Sequence, residues 1–316
     1  MYSTTGIDAS NFVSTFNTSF YFIAGISLVL LTGLTIVMLY FIFRYNNKKN
    51  KIAIQNEGNI RLEILWTVIP ILLAVAMFYY GWAGWKPMNK PPANAMNITT
   101  TARMWSFSFL YENGKESTDL VVPVNTPVKI NLISLDVIHS LFIPAYRIKS
   151  DIVPGRKKVM WFIPQTEGEY DLYCAEYCGL RHSYMKAIVK VMSKDKFAAW
   201  YGDTSSVVNA AETSTPASQG LAIMRIQGCM ACHSSDGSKI VGPSYLNLFG
   251  SQQVVIRNGV EMTVTVDEAY IKQRILDPSF QVIKGYPKGL MQSYKGKISD
   301  ADIAKIVEYI KSLNEK

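Results

Sequence analysis

Two runs of the chain leave little freedom in where it can sit. Phe20 to Phe43 reads FYFIAGISLVLLTGLTIVMLYFIF without a charge; Leu62 to Trp85 reads LEILWTVIPILLAVAMFYYGWAGW with one, Glu63. Helices of this length cross a hydrocarbon core of roughly 30 Å, where no water can satisfy an unpaired backbone. The pattern predicts a two-helix transmembrane hairpin. Tyr79, Tyr80, Trp82 and Trp85 gather at the end of the second run, as an interfacial aromatic belt would. Between the runs lie Arg44, Lys48, Lys49, Lys51 and Arg61, whereas the first nineteen residues hold no lysine or arginine. That asymmetry predicts a cytoplasmic loop with both termini outside. The first run is too long for a cleaved signal and lacks its basic leader, so a retained helix is expected.

Beyond Pro91 and Pro92 the texture changes. TTTARMWSFSFLY, TPVKINLISLDVIHSLFIP, GRKKVMWFIP, GEYDLYC and MKAIVKVMS alternate as strands do, separated by ENGKES, VPG and QTEGE. An all-β sandwich over residues 91–202 follows, closed by a short helix in KDKFAAWYG. DTSSVVNAAETSTPASQ is poor in aromatics and reads as a flexible linker over 203–218, spanning roughly 22 Å as a coil. Residues 219–316 read as an all-α domain, whose last helix has Ser299 as N-cap and Ile303, Ile306, Val307, Ile310 and Leu313 on one face. Residues 1–90 hold the N-terminal segment and the hairpin.

The net charge of +8 raises the question of nucleic acid, but no basic helix, zinc-finger spacing or aromatic RNA-binding box accompanies it. The four cysteines and three histidines are more telling. Cys174, Cys178 and His182 fall in YCAEYCGLRHSYM, and Cys229, Cys232 and His233 fall in QGCMACHS. Only His139 stands apart. As disulfides, two such close pairs would constrain very little chain.

CMACH is the C-x-x-C-H pattern of covalent c-type haem attachment: two thiols add across the haem vinyl groups and the adjacent imidazole binds iron. A thioredoxin-like motif would need a βαβ context, which is missing. A thioether completing a His/Met iron is expected before the last helix; Met291 in GYPKGLMQSYKG is the candidate and Met262 the weaker one. This region resembles a class I cytochrome c, except that the usual Met-Pro step is Met291-Gln292.

The first cluster runs C-x₃-C-x₃-H-x₂-M. A single blue copper would use one cysteine and two histidines, so one thiolate is surplus. Tetrahedral zinc would use two cysteines and two histidines and leave the methionine idle. Two thiolates can instead bridge two soft ions with a histidine on each, which requires one more histidine. His139, at the end of a strand-like run in SLDVIHSLFIP, is the one remaining.

From the first apolar run to Ser193 the chain resembles subunit II of haem–copper cytochrome c oxidase, and the haem motif makes it similar to the fused, caa-type version found in bacteria. The residues that carry the likeness occur in order: the helix pair, LEILWTVIP, WSFSF, DVIHSLFIP, DIVPGR, CAEYCGLRHSYM and CMACH. The resemblance implies a multidomain membrane protein whose sandwich is a cupredoxin-like Greek key. It also implies a dinuclear copper centre, CuA, bound by the side chains of His139, Cys174, Cys178, His182 and Met185 and by the backbone carbonyl of Glu176. The Glu176 carboxylate would help hold magnesium shared with the catalytic subunit. Glu63 would stand at the mouth of a proton channel, and Trp105 would serve electron entry, although Arg103 stands where another aromatic is usual.

The implied partners are the catalytic haem–copper subunit I, the other oxidase subunits, and an upstream respiratory complex or cytochrome c as donor. The implied location is the bacterial cytoplasmic membrane, with the copper and haem domains on its periplasmic or outer face. Electrons would pass from haem c to CuA and on to the oxygen-reducing subunit, with proton translocation. Three histidines leave none for oxygen chemistry in this chain.

Overall fold

A computed structural model describes residues 9–52, 58–203, 215–286 and 288–314. The two apolar runs form α1 (Val13–Arg44) and α2 (Ile60–Trp85). Asn59 caps α2 by accepting from the amides of Arg61 and Leu62, satisfying donors that a helix start leaves unpaired. Leu28, Val29, Leu31 and Phe78 point outward along the pair, which is stable for such side chains only in lipid. The helices touch near one end, where Phe22 packs on Tyr80 at 4.3 Å and Ser19 Oγ donates to the Tyr80 carbonyl at 3.2 Å. Five residues of the basic loop, 53–57, lie outside the described residues.

The sandwich contains β1 (Met96–Arg103), β2 (Ser106–Tyr111), β3 (Glu116–Ser117), β4 (Leu120–Pro123), β5 (Val128–Ser134), β6 (His139–Ile143), β7 (Ile148–Ile152), β8 (Lys158–Phe162), β9 (Gly168–Cys174) and β10 (Lys186–Met192). One sheet runs β3-β2-β1-β5-β8, the other β4-β10-β9-β6-β7. The β1–β5 and β4–β10 pairs are parallel, so the chain crosses between sheets instead of meandering through one. Inward residues such as Ile98, Phe109, Ile130, Leu141, Leu172 and Val189 are fully buried between the sheets, as period-two alternation requires. The chain ahead of α1 is stitched to this body: Asn11 N donates to the Ile163 carbonyl at 3.2 Å, and Phe12 meets Trp161 edge-on at 4.9 Å. Trp161 Nε1 also donates to the Pro87 carbonyl, just past α2. The sandwich therefore sits at the end of the hairpin opposite the basic loop.

Helix α3 (Lys194–Gly202), capped by Ser193, packs back on the sandwich. The buried Lys115 Nζ donates to the carbonyls of Trp200 and Asp203 and holds its end. Residues 204–214 of the expected linker lie outside the described residues. Its last three positions are helical instead: α4 (Pro216–Ile226) starts there because Thr215 caps the first turn and Pro216 takes the first helical position.

The C-terminal part continues with β11 (Gln252–Arg257), β12 (Val260–Thr265), α5 (Glu268–Leu276), β13 (Val282–Ile283) and α6 (Asp300–Ser312). Ser299 caps α6, and Ile303, Ile306, Val307 and Ile310 face the core with Ile223 and Met224 of α4. The α4–α6 crossing is close because Gly220 has no side chain; a Cβ there would collide with the Lys305 carbonyl. The small sheet β12-β11-β13 is an addition to the helical plan read from sequence.

Candidate copper and haem sites

His139 opens β6, Cys174 closes β9, and the loop from there to β10 carries the remaining candidate ligands. Two backbone bonds close this loop at its feet: Cys174 N donates to the Met185 carbonyl, and Ala175 N to the Ser140 carbonyl. The side chains converge as a result. Cys174 Sγ lies 3.7 Å from Cys178 Sγ, 3.9 Å from His139 Nδ1 and 3.3 Å from the Glu176 carbonyl. Cys178 Sγ lies 3.5 Å from His182 Nδ1 and 3.7 Å from Met185 Sδ. Each sulfur thus has its own histidine and its own weaker neighbour. All four cysteines are free thiols.

The electrostatics fit bound cations. Burial opposes ionisation of Cys174, but bonds from His139 and from the backbone at Glu176 and Ser140 outweigh it and lower its pKa to about 6. Cys178 moves the other way, pushed up to about 12 by burial and then by the charge on Cys174. Two adjacent buried thiolates repel unless positive charge sits between them. His139 is fully buried, and its Nε2 donates to Asp136 Oδ1 at 2.7 Å. That fixes the tautomer and turns a lone pair on Nδ1 toward the sulfurs, the outer support that metal-binding histidines need.

The second site is a mostly apolar cleft between the C-x-x-C-H segment and the loop ahead of α6. Cys229, Cys232, His233 and Met291 line it. The left-handed Gly228 ends α4 and turns the two cysteines to face the cleft. His233 Nδ1 donates to the Pro243 carbonyl at 2.8 Å, so Nε2 keeps its lone pair, and burial lowers its pKa and favours neutral imidazole. Met262, on β12 opposite Val255, is not among the lining residues.

Comparison with known proteins follows the same order along the chain. Residues 6–81 match the family described as cytochrome C oxidase subunit II, transmembrane domain, and residues 96–192 match its periplasmic domain; together they span more than half of the chain. Residues 217–314 match cytochrome c. The chain belongs to the cytochrome c oxidase subunit II family. A cytochrome c oxidase subunit 2 of Alkalihalophilus pseudofirmus is 29% identical over 307 residues, covering 92% of this chain and 85% of that protein. One from Bacillus sp. PS3 is 28% identical and covers 85% of this chain and 79% of its own length. One from Cereibacter sphaeroides is 29% identical over 227 residues, covering 58% of this chain and 75% of its own.

In this subunit II, Trp105 is buried beside the sulfur cluster, and its Nε1 donates to the Cys178 carbonyl at 2.9 Å. The Glu176 side chain is exposed on the loop. Glu63 is not brought to either site. It sits in the first turn of α2, 22 residues before Trp85, or roughly 33 Å along the axis. Sequence reasoning missed Asp136. The available signal was the D-V-I-H spacing, which sets a carboxylate three residues ahead of a candidate ligand.

Proposed function

We propose that this chain is the electron-entry subunit of a bacterial terminal oxidase, holding a dinuclear CuA centre and one haem c. His139, Cys174, Cys178, His182 and Met185, with the Glu176 carbonyl, would hold the copper ions. Cys229 and Cys232 would bind haem covalently, with His233 and Met291 on its iron. When bound, these groups supply one-electron redox chemistry between an external donor and the catalytic haem–copper subunit that reduces oxygen to water. The chain's own residues preorganise both sites. The β6–β9 pairing and the closed loop fix the donor atoms in advance, Asp136 orients His139, and Pro243 orients His233. A rigid donor set keeps geometry constant between charge states, which favours fast transfer.

Other roles are proposed with their support. Trp105, bonded to Cys178, lies on a route into the copper site. Glu63, acidic at the entry of a membrane helix, fits a proton-channel mouth. The exposed Glu176 carboxylate is free to share magnesium with a partner. The basic loop opposite the sandwich supports an orientation in the cytoplasmic membrane with both redox sites outside.

The observation that carries the reading is the convergence of both sulfurs, both histidines and Met185 within 3.9 Å steps in a chain that also presents C-x-x-C-H to a cleft. Optical and EPR spectra of the purified protein test it. A c-type haem band with a mixed-valence dicopper signal is expected; haem with zinc would overturn it.

A further inference from the structure

Asp136 sits between the two sites and is almost completely enclosed, with 5% of its side chain exposed. One oxygen, Oδ1, accepts from His139 Nε2 at 2.7 Å and from Val137 N at 2.7 Å. The other, Oδ2, accepts from Met104 N at 2.6 Å and from Gln292 Nε2 at 2.8 Å. Gln292 follows Met291 in the chain. Two further contacts flank this bridge. Arg103 Nη1 donates to both the backbone carbonyl and the Oε1 of Gln227, at 3.0 and 2.9 Å, and Arg181 Nη1 donates to the Ala231 carbonyl.

We propose that the haem-binding segment is held in a fixed seat on the copper-binding sandwich by a polar seam of Arg103, Asp136 and Arg181, with Asp136 joining the two redox sites directly. The proposal rests on the function given above and specifies how the sites are coupled. A haem domain swinging on a linker would need surfaces that tolerate water each time it leaves. Here Arg103 is only 8% exposed, and Val241 and Leu290 from the haem-side loops pack against the sandwich core. Parting would uncover that apolar surface and strip a buried carboxylate and guanidinium of their partners, which is costly. The fit is close: a Cβ on Gly228 would run into Ser106 Oγ at the start of β2.

The seat also gives a continuous path through the chain's own atoms. From Met291 it follows the backbone to Gln292, then two hydrogen bonds through the Asp136 carboxylate to His139. A second route leads from Met104, on the cleft wall, through Trp105 to the Cys178 carbonyl. One electron leaves the haem side and one arrives at the copper side, with no proton or covalent bond exchanged. Arg103 donates to Gln227 in the chain's own haem segment.

The test uses the full chain with Gln292→Ala, which removes the haem-side amide, and Arg103→Met, which severs the neighbouring contact from the copper side. Amide hydrogen exchange is followed at residues 226–232 and 103–106 in the protein loaded with haem and copper. Intramolecular electron transfer is timed after photoreduction of the haem. Loss of a hydrogen bond to a charged partner should raise exchange at the seam by about tenfold in each variant and slow the transfer. Unchanged exchange and unchanged rates in both variants overturn the seat, as does a wild-type seam that exchanges freely in the loaded protein. Absence of the haem and dicopper signals in the wild type would instead overturn the proposed function, leaving seam protection as a separate result.

Discussion

Trp105 and Cys178 share one buried hydrogen bond, indole Nε1 to backbone carbonyl at 2.9 Å, across a distance of 73 residues in sequence. Gly179 lets the ring lie flat on the loop: its φ is +111°, and a Cβ there would come within 3.2 Å of Trp105 Cζ2. Trp105→Phe keeps an aromatic ring but leaves that carbonyl without its donor. The copper loop should lose about 1–3 kcal/mol, read as a lower denaturant concentration at which the copper absorbance disappears.

Asp136→Asn retains the shape of the side chain while removing the charge that four donors converge on. His139 then loses its charged support, and an amide NH₂ must oppose some of those donors. Copper affinity should fall about 10–100-fold, the usual effect of removing such outer support. Titration against a chelator of known affinity measures it, and an unchanged affinity would show that Asp136 does not orient the ligand.

In chain free of both copper and haem the four thiols should react with a small alkylating agent in a fixed order. Cys174, lowered to about 6, is largely thiolate at pH 7; Cys178 at about 12, Cys229 at about 12 and Cys232 at about 11 remain protonated. Because the thiolate is the nucleophile, labelling of Cys174 should rise through about pH 6 and level off above it. The other three should stay unlabelled until far more alkaline conditions. Peptide mass spectrometry across a pH series reads the order directly.

Gly220→Ala sets two effects against each other. Alanine is the better helix former by about 1 kcal/mol. Its Cβ, however, meets the Lys305 backbone carbonyl and lies 3.1 Å from Ile306 Cα, atoms that cannot rotate away. Overpacking of this kind costs about 1–3 kcal/mol, so the haem domain should be destabilised on balance. The haem spectrum should shift, as its axial ligation breaks, at lower temperature than in wild type while the copper signal holds.

Much of this protein was legible in its residues. The hairpin followed from two apolar runs, because the bilayer fixes length and excludes charge. C-M-A-C-H and C-x₃-C-x₃-H-x₂-M were readable because each gathers its candidate ligands on one loop, where sequence spacing and spatial proximity coincide. His139 was singled out by counting, since it was the one histidine left, and folding sets its Nδ1 3.9 Å from Cys174 Sγ. The cap at Ser299 was equally local. Met262 reads as set in a possible hairpin, which β11 and β12 form around Asn258-Gly259; β13, two residues long, was too short to read from its pattern.

What only the tertiary structure decided lies between segments that the chain keeps far apart. Asp136 reads as an ordinary loop acid until folding places Gln292, 156 residues later, on its second oxygen. Arg103 reads as an ordinary strand-end cation until Gln227 arrives 124 residues later to accept from it. Gly220 looks dispensable until α6 crosses it. The physical reason is common to all three. A residue's type and local spacing determine which bonds it can make, so the candidate ligands and the helices were legible in sequence. Which partner it meets depends on packing summed over the whole chain, so the seam that couples the two sites was not.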